Sequence, residues 1–183
     1  HDLVLSYKYE GNYVPLRGKE CSTQQMPFIS EKIPTFEEFA NASIEEIYGE
    51  EIIDAYERKV TSFESIILIN KGENKFEIEK LPPLAQSIPI LTSDSYDINE
   101  DGYEDVIVGG NIYNTEVETP RLDNQFAIIL ISDKNKNYST IGPDKSGLYL
   151  SGNTKSLKIV DRKNPKLLVA NNNSNLEVFE LNK

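Results

Sequence analysis

The chain has 183 residues, 38% hydrophobic and 27% charged, with 30 acids against 19 bases and a formal net charge of −11. That length suffices for one domain with a real core, and so acidic a surface argues against nucleic-acid and membrane-surface partners while suiting cations. With Cys21 the one cysteine and His1, at the very terminus, the one histidine, there is no intrachain disulfide, and histidine-based catalysis or metal ligation has no basis within this chain.

The chain opens HDLVLSY, without a methionine or a signal peptide, and reads as a processed product or an excised piece of something longer. Asp2-Leu3-Val4-Leu5 echoes Asp105-Val106-Ile107-Val108, so residues 1–19 read as the end of a preceding β unit. Residues 20–60 then change periodicity. Thr35-x-x-Glu38 after Pro34, and Ser43-x-x-Glu46, are capping-box patterns, while Phe36, Phe39 and Ala40, then Ile52, Ile53 and Tyr56, recur at helical spacing. Two or three short inserted helices are expected, with apolar faces packed on a sheet edge or offered to a partner.

From residue 61 the sequence turns to strands. Residues 65–70 and 75–80 are β-rich runs joined by the turn KGEN; 88–93 is a third run interrupted by Pro89; EDVIVGG is a fourth, ended by Gly109 and Gly110. The pattern then returns: ESIILINKGENKFE from Glu64 aligns without a gap on FAIILISDKNKNYS from Phe126, an offset of 62 residues (126 − 64), and the same offset carries 104–111 onto 166–173. Four short strands per unit is the pattern of a propeller blade. The expected fold is therefore mainly β: a partial β-propeller with a blade at 61–123, a degenerate second blade at 124–183, and NLEVFEL at 175–181 opening another. Two units cannot close a ring, so an arc with open edges is expected, packed against further blades or another copy. The longest apolar run, Phe126–Ile131, is far short of the roughly 20 residues of a membrane helix.

Within the first unit, DINEDGYED places Asp97, Asn99, Asp101 and Asp105 at positions 1, 3, 5 and 9 of a loop with Gly102 at 6 and the Tyr103 carbonyl at 7. That is the ligand order of a calcium loop, although position 12 is Val108 and β-type sequence flanks it in place of helices. The alternative is an acidic turn, since Asp, Asn and Gly are the common turn residues. The matching stretch IVDRKNPK at 159–166 has lost the pattern and carries Arg162 and Lys163, a charge that can stand in for an ion.

DINEDGYEDVIVGGN resembles the FG-GAP or VCBS repeat, the calcium-loop blade also found in integrin alpha-subunit propellers. The run VPLRGKECSTQQMPFISEKIPTFEEFANASIEEIYGEE, with LPPLAQSIPIL and NIYNTEVETPRLD, resembles large bacterial VCBS-repeat proteins of the ASPIC/UnbV type, related to the cartilage acidic protein family. The resemblance covers nearly all of the chain. It implies the C-terminal part of a longer, exported or outer-surface propeller protein, with Asp97, Asn99, Asp101, Tyr103 and Asp105 as Ca2+ ligands. The family's molecular activity is poorly defined, so the resemblance supplies no reaction.

Two further stretches invite function. NIYNTEVETPRLDNQ, residues 111–125, is long for a connection and holds Tyr113, Glu116, Glu118, Arg121 and Asp123 as candidate ligand-binding residues, or else a solvated loop held by an Arg–Glu pair. RGKECSTQQMPF at 17–28 offers Arg17, Gln24 and Gln25 beside Cys21, whose thiol has no histidine to activate it. The asparagine run in NPKLLVANNNSN suits turns or amide contacts to a sugar. The expected function is non-enzymatic binding of a protein or glycan outside the cell; the alternative is a carboxylate-based hydrolase of polysaccharide, for which no motif marks a pair of acids.

Overall fold

The computed structural model describes residues 3–117 and 119–181. The chain forms two compact units, residues 1–61 and 62–183, beside the boundary expected at 60/61. It is mainly β, with short helices and antiparallel sheets of two, four, three and two strands. Among the described residues no helix is long and apolar enough to cross a membrane.

In the first unit, β1 (Ser6–Tyr9) and β2 (Asn12–Pro15) pair around Glu10-Gly11, both at positive φ (47° and 95°), the requirement of a two-residue hairpin turn. This local turn decides where the strand lies. Leu3–Leu5, expected to be strand, precede it without joining a ladder, and Asp2 lies outside the described residues. Four helices follow, α1 (Lys19–Gln25), α2 (Phe28–Lys32), α3 (Phe36–Asn41) and α4 (Ile44–Tyr48), then a 3-10 turn at Gly49–Ile52. Both capping boxes form: the Glu38 N–H donates to Thr35 Oγ1 at 3.1 Å and the Thr35 N–H to Glu38 Oε2 at 3.1 Å, and Ser43 and Glu46 repeat the exchange. The buried face differs in part from expectation. Phe39 is buried as expected, with Ile29, Ile33 and Ile47, while Phe36 and Ala40 are exposed, and so are Ile53 and Tyr56, since Gly49 at φ 70° ends α4 before a third helical face can develop.

The second unit begins with a hairpin, β3 (Ile66–Asn70) and β4 (Phe76–Lys80), turned through Gly72, Glu73 and Asn74, all at positive φ. A 3-10 turn at Pro83–Ser87 follows. The third run is displaced: Ile88 is buried, but Pro89 has no N–H to give, and the ladder begins only when the Leu91 N–H donates to the Gly109 carbonyl at 3.1 Å. The strand is β5 (Thr92–Tyr96), followed by β6 (Asp105–Gly109), β7 (Ile128–Ser132) and β8 (Tyr138–Ile141) in a four-stranded antiparallel meander of that order. Gly110 takes φ 151°, and a Cβ there would lie 2.7 Å from Leu91 Cβ, so only glycine lets β6 leave beside Leu91. A short helix, α5 (Pro143–Ser146), leads to β9 (Thr154–Val160), β10 (Lys166–Asn171) and β11 (Glu177–Glu180), ordered β11-β10-β9.

The boundary expected at 123/124 falls between β6 and β7, which pair directly at Val106↔Leu130, Ile107↔Ile129 and Val108↔Ile128. One sheet thus draws two strands from each of the two expected blades. A sequence period gives the length of a unit and leaves its phase open. Adding 62 to the β3–β4 pairs Ile67↔Glu79, Leu68↔Ile78, Ile69↔Glu77 and Asn70↔Phe76 yields the β7–β8 pairs Ile129↔Ile141, Leu130↔Thr140, Ile131↔Ser139 and Ser132↔Tyr138. Between β6 and β10 the correspondence is one residue shorter. Leu167 and Val169 face back into the core shared with β5–β8, the role that Val106 and Val108 have toward the core before it. One apolar core (Leu81, Ala85, Ile88, Val108, Ile128, Leu130) lies on one face of β5–β8; the other (Ile107, Ile129, Leu157, Ile159, Leu167, Val169 among others) joins it to β9–β11. Among the described residues no strand pairing joins β3–β4 to β9–β11, so no ring is closed.

Candidate metal centre

The loop between β5 and β6 is built from short acidic and amide side chains that reach their own backbone, which is what these residues do best in turns. Asp97 Oδ1 accepts from the Asp101 N–H at 3.1 Å and its Oδ2 from the Gly102 N–H at 3.0 Å. Asn99 Oδ1 also accepts from the Asp101 N–H (3.0 Å), and its Nδ2 donates to Asp101 Oδ2 (3.0 Å). Asp101 Oδ1 takes the Tyr103 N–H at 2.9 Å. Glu100 and Gly102 sit at φ 60° and 91°; a Cβ on Gly102 would meet open space, so backbone conformation is what calls for glycine there.

Asp105 behaves differently. It is fully buried at the start of β6, with Oδ2 accepting from the Ile98 N–H at 3.0 Å and Oδ1 from the Ser132 N–H at 2.8 Å. The Ser132 hydroxyl completes the link by donating to the Glu104 carbonyl at 2.9 Å. One carboxylate therefore ties the start of the acidic loop, β6 and β7 together.

Asp97 and Asn99 both accept from the Asp101 N–H and Asn99 donates to the Asp101 carboxylate, while Asp105 is bonded instead to the Ile98 and Ser132 N–H groups. The side chain of Tyr103 points outward, so its part in the expected site rests on its carbonyl. The donor set is all oxygen, the chemistry of a hard cation such as Ca2+, and each carboxylate offers about four lone-pair positions, more than the N–H groups here consume. Among the described residues, however, no three His, Cys, Asp or Glu side chains are gathered closely enough to hold a metal ion as they stand.

Arg162, expected to supply charge within its own turn, instead leaves it. Its Nη1 donates to Glu104 Oε1 at 2.8 Å and its Nη2 to the Ser95 carbonyl at 3.3 Å, with the guanidinium 6.0 Å from the Tyr96 ring centre. The Tyr96 hydroxyl returns a bond to the Arg162 carbonyl (3.2 Å). The guanidinium, then a hydrogen bond from Ser95, hold the Glu104 carboxyl below its ordinary value. Two residues earlier, β5 grips β9: Asp94 accepts from the Ile159 N–H at 2.6 Å and Lys158 Nζ at 3.0 Å, and Thr92 Oγ1 takes the Leu157 N–H at 3.0 Å. Burial pushes the Asp94 carboxyl up, but the Ile159 N–H, Lys158 and Ser95 outweigh it, leaving its pKa lowered.

The expected ligand loop, 111–125, closes on itself through paired Ile112 and Leu122 backbone bonds of 2.8 Å. The structure brings Tyr113, Arg121 and Asp123 together: Arg121 lies 4.6 Å over the Tyr113 ring and Nε donates to Asp123 Oδ2 at 2.7 Å. Arg121 thus pairs with an aspartate two residues away; Glu116 accepts from the Thr119 hydroxyl at 2.9 Å, and Glu118 lies outside the described residues. The Tyr113 hydroxyl donates to the Ser151 carbonyl (3.2 Å).

Around this loop stand groups that sequence reasoning passed over. Asn111, fully buried, donates through Nδ2 to the Leu150 and Gly152 carbonyls at 3.2 and 2.6 Å, and its own carbonyl accepts from Lys155 at 2.7 Å. Ser151 and Asn171 donate to the two oxygens of Glu177 at 3.2 and 3.0 Å. Asn111 Oδ1, Asn124 Nδ2 and Asn153 Oδ1 are buried without a hydrogen-bond partner. Of the asparagine run, Asn171 anchors Thr154 and Glu177 while Asn173 takes φ 55°, a turn position. Only the pattern NxY with a distant polar TKS offered a hint of this cluster, and it is too weak to find it.

In the other unit, Cys21 is partly buried on α1, Ser22 donates to the Arg17 carbonyl, and Gln25 reaches the Leu3 carbonyl at 3.4 Å. An open groove of about 360 Å³ lies among Lys32, Ile33, Glu38, Asn41, Ala42 and Glu46, but both of its acids are engaged in helix caps. Comparison with family models, with curated proteins and with solved structures finds no match to this chain.

Proposed function

We propose that this chain is a non-enzymatic β-propeller module of the FG-GAP/VCBS kind, stabilised by Ca2+ and binding a protein or glycan outside the cell as part of a longer exported protein. The observation that carries the reading is the curl of residues 97–105, in which Asp97 takes the N–H groups of Asp101 and Gly102 and so draws positions 1, 3 and 5 of the loop around one centre. The side chains of Asp97, Asn99, Asp101 and Asp105 and the Tyr103 carbonyl would hold the ion, which would offset the repulsion among the three carboxylates. Blade architecture is supported by the meander β5–β8 and by the route of the chain afterwards: β8 passes through α5 into β9, which returns beside β5. The shared register of the two hairpins supports units of one kind. For a ligand, Tyr113 and Arg121 are the side chains of choice, already stacked and held over Ser151, since aromatic and arginine groups dominate binding energy at most interfaces.

One experiment with two arms tests this. Thermal melts of the full chain are compared with calcium and with chelator; at 1 mM free Ca2+ and a dissociation constant of ~0.1 mM, linkage gives about 1.4 kcal/mol of added stability, which Asp101→Ala abolishes. Equal midpoints in both conditions would reduce the loop to a turn. In the second arm, a glycan array and extracellular-protein pull-down compare wild type with Tyr113→Ala/Arg121→Ala; equal capture by two equally stable proteins removes the 111–125 loop from the reading.

A further inference from the structure

We propose that one buried water molecule is bound where the 111–125 loop meets the chain entering β9, held by Asn111 Oδ1, Asn124 Nδ2 and Asn153 Oδ1. It rests on hydrogen bonding within the second unit and is independent of the cation and of any ligand. Among the described residues, these three are the buried side-chain polar atoms left without a partner. Polar atoms sealed from solvent are ordinarily paired, because an unmet one gives up its hydration for nothing. Here all three surround one short segment. The Asn111 N–H donates to the Thr154 carbonyl at 3.1 Å, and its Nδ2 to the Leu150 and Gly152 carbonyls at 3.2 and 2.6 Å. Asn153 lies inside that segment. Asn124 is brought to it by its neighbour Gln125, whose carbonyl takes the Leu150 N–H at 2.8 Å.

The orientation of the Asn111 amide is settled by its own bonds. Both Nδ2 protons are spent on carbonyls, and turning the amide over would set its oxygen against those same two oxygens. Oδ1 therefore stays an acceptor. Together the three atoms call for two protons and one lone pair. A water molecule supplies that set, and buried waters ordinarily make about three bonds to otherwise unsatisfied groups. Other occupants fit worse. A cation would meet both oxygens but repel the Asn124 N–H, and Lys155 Nζ already brings positive charge to the Asn111 carbonyl at 2.7 Å. A ligand hydroxyl carries one proton where two are called for. The water fastens both ends of the loop that carries Tyr113 and Arg121, at Asn111 and Asn124, to the chain entering β9 at Asn153. Its role is to position that loop.

A crystal structure of the full chain at atomic resolution tests this. The expected result is one well-ordered peak about 2.7–3.2 Å from all three atoms. In solution the same molecule gives nuclear Overhauser contacts from water to the Asn124 side-chain amide protons, with the sign of a water that tumbles with the protein. Asn153→Leu, which fills the place with a side chain of similar size, abolishes those contacts while the Asn111 bonds to Leu150 and Gly152 persist. If that variant does not fold, the wild-type density and contacts decide alone. Direct bonding among the three amides, with no peak between them, overturns the proposal. A peak about 2.3–2.6 Å from the two oxygens overturns it in favour of a cation.

Discussion

The loop at 97–105 and the turn at 161–165 occupy the same place in successive sheets, each leading from a first strand to the second, β5 to β6 and β9 to β10. The first carries Asp97, Asn99 and Asp101, bonded to its own backbone, and closes on a buried Asp105; the second makes one exposed Asx turn, with Asp161 accepting weakly from the Lys163 and Asn164 N–H groups at 3.3 and 3.4 Å, and sends Arg162 across to the rim of the first. Equivalent positions in a fold thus need not solve their electrostatics alone. The acid-rich loop draws on its neighbour's arginine, and the neighbour, with little negative charge of its own, can spare it.

The comparison breaks or sharpens first at its aspartates. Asp105→Ala leaves the half-buried Ile98 and buried Ser132 N–H groups without an acceptor, and two charge-assisted bonds at roughly 2 kcal/mol each predict a loss of about 4 kcal/mol in urea unfolding. Asp161→Ala, exposed and loosely bonded, should cost about 0.5 kcal/mol. Equal costs would mean that the two turns do not differ in kind.

A smaller effect reads the link between the sheets. The Asp94 carboxyl is held below its unfolded value of 3.8, so its contribution is present above that value and is lost as pH falls through the lower folded one. Asp94→Asn should cost about 2 kcal/mol at neutral pH, and its difference from wild type should shrink toward zero in acid. A difference that stays constant from neutral pH into acid would place the cost in packing. The smallest effect is at Arg162, whose side chain is 63% exposed: Arg162→Ala should lower the melting temperature only slightly, and that loss should vanish in high salt. A salt-insensitive loss would show that its stacking on Tyr96 matters more than its charge.

Much of this was legible in residues. The first hairpin followed from two β-rich runs joined by KGEN, the second from its alignment 62 residues on, and the capping boxes marked the starts of α3 and α4. Three things were hidden. The strand TSDSY has almost no apolar pattern, because Thr92 and Asp94 serve the backbone of β9 and Tyr96 alone packs against the core. Of the buried helical face Phe39 was legible, but Ile29 and Ile33 were not, because they stand on a five-residue helix and its cap, too short to show a period. The polar cluster of Asn111, Ser151 and Glu177 joins two connections and the start of β11, all far apart in sequence, and no spacing foretells that.

The polar character of β5 has a consequence for solubility. β9 is the border strand of its sheet, and a border ordinarily leaves a row of N–H groups that can template a stranger's strand, the first step toward fibrils. Here Thr92 and Asp94 take up the Leu157 and Ile159 N–H groups. The two sheets come to lie side by side without zipping into one continuous ribbon, and an incoming peptide finds that border already guarded.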